Sequence, residues 1–132
     1  MRLFLVLLGI VYAFAQGRSD PDVRVKVITG QEGIDLKPYA LSLETAIRRQ
    51  WVKAWPRETV QATVTLRVAI EKSGDVAKIS VVSLSGHKAL DRAAISAISN
   101  CNPFAPVPPR YEGKRLVVEV AFHYDGHGPP AG

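Results

Sequence analysis

The chain has one cysteine and one methionine in 132 residues. Cys101 has no mate for an intrachain disulfide, so the folded state rests on packing. Long hydrophobic stretches are scarce as well. The longest uncharged apolar run, Leu3 to Ala15, rises only about 20 Å as a helix, short of a hydrocarbon core of roughly 30 Å. No residue type dominates, and charged residues are 22% against 47% hydrophobic, values that exclude a collagen-like fibre, wholesale disorder and a multi-span membrane protein. The length suits one hydrophobic core and not two. Lys and Arg number 17 against 12 Asp and Glu; this moderate basic excess favours acidic surfaces without naming one.

Arg2, the apolar run and Ala13-Phe14-Ala15 read as a secretory signal with cleavage after Ala15. A buried amphipathic helix is the bland alternative, but Leu3 to Val11 is apolar on every side, leaving no polar stripe for solvent. The domain expectation is therefore a signal over residues 1–15, a polar linker over 16–36, the fold over 37–124 and a flexible Gly/Pro tail over 125–132. Within the linker, Val23, Val25 and Val27 alternate with Arg24 and Lys26, either as a small edge strand or as an extended tether.

Pro38 opens a segment with Tyr39, Leu43, Ile47, Trp51 and Trp55 four residues apart, one face of a helix that Pro56 stops. From Val60 to Ile70 the apolar period drops to two, which indicates a half-buried strand. Ser73-Gly74-Asp75 turns the chain into a second strand, Val76 to Leu84, as an antiparallel hairpin. Adjacent Val81 and Val82 break the alternation there and indicate a bulge or burial on both faces. Leu90, Ala94, Ala97 and Ile98 mark a second helix over His87 to Asn100. Four prolines follow, and Leu116, Val118, Val120, Phe122 and Tyr124 form a last strand. The expected fold is α+β in the order α-β-β-α-β: two helices on one face of a three-stranded antiparallel sheet, the first strand central and the last strand with an open edge.

In this order the residues resemble the C-terminal domain of the TonB/TolA family of bacterial envelope proteins, over roughly Leu36 to Tyr124. The pieces are Ile47-Arg48-Arg49-Gln50-Trp51 with Trp55-Pro56, the turn Ser73-Gly74-Asp75-Val76, Ser83-Leu84-Ser85-Gly86 before Leu90-Asp91-Arg92-Ala93-Ala94, and Asn102-Pro103-Phe104 with Pro106 and Pro108. Their set looks most like the TolA-like branch. The resemblance implies a periplasmic module that binds an extended segment of an envelope or outer-membrane protein by strand addition. By strand position it projects the contacts onto Arg115, Leu116, Val118, Val120 and Phe122.

Energy transducers of that family carry a membrane helix and a long spacer, whereas the 21 residues from Gln16 to Leu36 span at most about 75 Å. The expectation is a stand-alone exported module, or one anchored to the inner membrane if residues 1–15 stay uncleaved. Some TolA-like domains resemble this one but hold a disulfide to the second helix, for which Cys101 has no mate. The alternative function is a structural or inhibitory module whose edge is closed by a homodimer or by the Val23 to Ile28 segment.

No cofactor, metal or catalytic residue is expected. Cys101 with His123 as base lacks a third orienting group, and His87, His123 and His127 match no standard ligand spacing. Trp51 and Trp55 beside Arg48, Arg49 and Lys53 suit core packing better than a nucleic-acid face, because the aromatic residues share the helix stripe and the charges lie off it.

Overall fold

A computed structural model describes residues 22–56 and 60–126. The expected signal at 1–15, His127 and most of the tail lie outside these residues. The elements are β1 (Asp22–Val27), α1 (Lys37–Lys53), β2 (Gln61–Glu71), β3 (Val76–Ser83), α2 (Lys88–Ser99) and β4 (Arg115–Asp125). The α+β class stands, but the sheet has four strands in the order β1-β4-β2-β3, with all neighbours antiparallel. The short valine alternation in the expected linker is β1, and it lies against β4. β2 keeps its expected place between β3 and β4.

Each long element follows from its spacing. In α1 the four-residue repeat buries Tyr39, Leu43, Ile47 and Trp51, while Pro38 occupies the first turn, where a missing N–H costs no helical bond. Asp35 Oδ1 accepts the Lys37 N–H at 3.0 Å at the helix entrance. In β2, Val64, Leu66, Val68 and Ile70 are buried, and in β4 so are Leu116, Val118, Val120, Phe122 and Tyr124. These two rows face both helices and form the core, each large side chain contributing about 1.5–3 kcal/mol of transfer free energy.

The other face of the sheet is polar. Arg67 pairs with Glu119 at 2.9 Å, Arg115 with Glu71 at 2.8 Å, and Thr63 Oγ1 with His123 Nδ1 at 2.9 Å. A single apolar face explains the two-layer architecture, since only that face gains by being covered.

The β2–β3 hairpin is held at its turn by the Gly74 N–H donating to Glu71 O and the Glu71 N–H to Asp75 O, both at 2.8 Å. The proline-rich segment then straps this turn. The Phe104 N–H donates to Gly74 O and the Val107 N–H to Lys72 O, each at 2.9 Å, and the Tyr39 hydroxyl reaches Ala105 O at 2.7 Å from α1. At the far end, Asp91 Oδ1 accepts from the Ser85 N–H at 2.9 Å and the Ser85 hydroxyl at 2.8 Å. Asp91 thus joins the end of β3 to α2, which accounts for a carboxylate only 9% exposed.

Candidate functional site

The sheet's edges are the places where main-chain groups can meet another chain, so each strand's hydrogen bonds decide what is available. Glu71 directs its N–H and C=O toward the β3 side. Because β2 pairs with β4 without interruption from Gln61 to Glu71, the odd residues of β2 face β3 and its even residues face β4. In turn, the even residues of β4 face β2 and its odd residues face β1. The Ile28 N–H donating to Val117 O at 2.8 Å agrees with this parity.

The last strand therefore has no open edge. β1 pairs with β4 from Asp22 opposite His123 to Val27 opposite Val118, and this corrects the expectation that β4 would carry the docking ladder. Leu116, Val118, Val120 and Phe122 are at most 1% exposed beneath the helices, so their side chains pack the core and meet no ligand. Arg115 lies on the polar face, bonded to Glu71. The structure gathers these five residues on one strand but spends that strand on the fold.

The outer side of β1 is also occupied. The Val25 N–H donates to Glu44 Oε2 at 3.0 Å, Arg48 Nη2 donates to Val23 O at 3.2 Å, and the Val23 N–H is taken by Asp22 Oδ1 at 2.9 Å. Arg48 also pairs with Asp22 at 2.7 Å. Two side chains one turn apart on α1 thus treat β1 as the edge to be sealed.

Burial alone would raise the Asp22 carboxyl, but hydrogen bonds from Arg24, Arg48 and the Val23 N–H outweigh it and hold the group below its usual value of 3.8. A lowered carboxylate stabilises the fold above its unfolded value, and that contribution fades as pH falls through the lower folded value. Protection of the Arg24 and Lys26 amides against hydrogen exchange, corrected for intrinsic rates, should weaken below about pH 4, and Asp22→Asn should remove that dependence. Unchanged protection down to pH 2 (about two units below the carboxylate's ordinary range) would show that this ion pair does not hold β1.

β3 differs. By the same parity its Lys78 and Ser80 bond to β2, while Ile79 and Val81 turn their N–H and C=O groups outward. At its start the Val76 N–H is held by Asn102 Oδ1 at 3.0 Å. Beyond that point no strand or side-chain hydrogen bond among the described residues covers the edge. The register shifts between Leu66 opposite Val81 and Thr65 opposite Ser83, which is the bulge that the adjacent valines indicated. Val81, Val82 and Leu84 are 54%, 48% and 50% exposed, so three large apolar side chains stand beside an open ladder. Such an edge is either a docking place or an aggregation liability.

The other candidates do not form a centre. Cys101 is half-buried against the helix-side core, and burial pushes its thiol up, away from the reactive thiolate. His123 lies on the opposite face of the sheet, bonded to Thr63. A groove of about 310 Å³ between α1 and the 100–105 segment, lined by Leu43, Ala46, Arg49, Gln50, Cys101 and Phe104, is open to solvent and brings no two acid–base groups together. Among the described residues no group of His, Cys, Asp or Glu is arranged to hold a metal ion, and no helix is long and apolar enough to cross a membrane.

Fold and edges together define a two-layer α+β domain that presents main-chain groups along one strand. The sequence model of the TonB C-terminal family matches residues 36–122, and the chain belongs to that family. Membership suggests an envelope-related protein-binding role, in a family that is periplasmic. Searches of curated proteins and of solved structures find no match. β1, at Asp22–Val27, lies outside the matched residues. The open β3 edge escaped the sequence reading. The sign of it in the sequence is Val81-Val82 followed by Leu84, three apolar residues at a strand's end.

Proposed function

We propose that this chain is an exported, TolA-like module that captures an extended segment of an envelope partner by strand addition along β3, in envelope transport or integrity, and that it catalyses no reaction. The observation that carries this reading is the pair of outward, unbonded main chains at Ile79 and Val81 beside exposed Val81, Val82 and Leu84. An added strand would bond to those groups and cover the apolar side chains, gaining about 25 cal/mol per Å² of apolar surface removed from water.

Val81→Pro tests it. The substitution removes one outward N–H and leaves the β2–β3 bonds of Lys78 and Ser80 in place. With a photocrosslinking amino acid at Val82, the protein in its native compartment should give a discrete crosslinked partner, and Val81→Pro should reduce that product at least about tenfold while changing stability by only about 1 kcal/mol. Equal crosslinking from exposed Leu41 on α1, or a product indifferent to Val81→Pro, would refute docking at β3. Closure of β4 by β1 supports a second reading, a structural or inhibitory module with no transport role; a crosslink only to another copy of the chain would favour it.

A further inference from the structure

Resting on the β3 reading, we propose that the captured segment is an acidic polypeptide in which Asp or Glu alternates with apolar residues. The faces of β3 set this pattern. Ile79 and Val81 stand opposite Val68 and Leu66, which are buried on the helix side, whereas Lys78 and Ser80 stand opposite Ala69 and Arg67 on the polar side. An added strand has the same two-residue period. Its helix-side residues meet Ile79 and Val81, and its other residues run beside Lys78.

Lys78 is the one charged residue of β3. From Val76 to Arg110 the chain has a single carboxylate, Asp91, and that group is buried and bonded to Ser85. Lys78 is exposed and makes no ion pair among the described residues, and Asp75, just before the strand, accepts from the Ser73 hydroxyl at 2.7 Å. Arg67, the neighbour of Lys78 on the polar side, already has Glu119. The strand thus offers a cation with no ion-pair partner, in contrast to the outer side of β1, where Asp22, Glu44 and Arg48 satisfy one another. A second copy of this chain fits poorly, because β3 carries a lysine and no carboxylate within the strand for a second β3 to offer it.

The probe is a phage library of random 12-residue peptides (about twice the length of a typical strand), selected on the full exported protein and in parallel on Val81→Pro. Peptides that depend on the intact edge should be enriched in Asp and Glu by about threefold over the library, at alternate positions with Val, Ile or Leu between them. Synthetic copies should lose about tenfold in affinity to Lys78→Glu and less to Lys78→Gln, and should weaken as salt shortens the screening length. Edge-dependent peptides without acidic enrichment, or with affinities indifferent to Lys78→Glu in a folded protein, would overturn the acidic assignment and leave strand addition standing. Identical selections on the wild type and Val81→Pro would overturn both. A monomer–dimer equilibrium abolished by Val81→Pro, with no peptide selected, would replace the acidic partner with a second copy.

Discussion

Trp51→Ala should cost about 3–5 kcal/mol, a large share of the roughly 5–15 kcal/mol by which a domain of this size is stable. Trp51 is fully buried, and its ring lies 4.7 Å from Trp55, 5.0 Å from Tyr124 and 5.6 Å from Phe122 between centroids. It therefore joins α1 to the end of β4 through aromatic contact as well as area. Its indole N–H donates to the Tyr124 hydroxyl at 2.8 Å, which donates in turn to Leu90 O at 3.0 Å on α2. Burial pushes the Tyr124 hydroxyl up to about 12, so it stays protonated and can accept and donate at once. Alanine removes the ring and strands the hydroxyl's acceptor side in a closed core. Tyr124→Phe keeps the packing but orphans the Trp51 N–H and removes the extra bond to Leu90 O, a carbonyl inside α2, and should cost less, about 1–3 kcal/mol. Urea denaturation followed by circular dichroism measures both; a loss below about 1 kcal/mol for Trp51→Ala would mean that this core does not join the two helices to the sheet.

Gly74→Ala should be nearly as damaging, at about 3 kcal/mol or more, although the residue sits in a hairpin turn. Its φ is +98°, where a side chain costs about 1–2 kcal/mol. A Cβ built there would also lie 2.1 Å from Phe104 O and 2.9 Å from Ala105 O. Both neighbours are main chain and cannot swing aside as a side-chain tip would. The strap must lift, placing at risk the bonds from the Phe104 N–H to Gly74 O and from the Val107 N–H to Lys72 O, each worth about 1 kcal/mol. Gly33 is the control: its φ is +84° but nothing lies within 4 Å of the added atom, so Gly33→Ala should show only the backbone term of about 1–2 kcal/mol. Equal losses at the two sites would show that the strap does not press on the hairpin turn.

The elements themselves were legible because each needs only local periodicity. Tyr39, Leu43, Ile47 and Trp51 mark the buried stripe of α1 wherever that helix packs. Val64 to Ile70 and Leu116 to Tyr124 likewise show which faces go inward, and the paired valines at 81 and 82 announced a bulge. The open edge was not legible. Alternation tells which way side chains point, but the main-chain groups that make or deny an edge lie in the plane of the sheet, perpendicular to that signal. Val23, Val25 and Val27 gave no sign of whether they would tether the domain or lie against β4.

The amino-acid sequence determined the two helices, the hairpin, the last strand, the single apolar face and the family, since all of these follow from the order and spacing of residues along the chain. Tertiary structure alone decided that β1 seals β4, that Glu44 and Arg48 on α1 close the far side of β1, and that β3 is left with its backbone facing water. Those outcomes turn on which distant segments compete for the same row of hydrogen-bonding groups, a contest settled only when the segments meet in space.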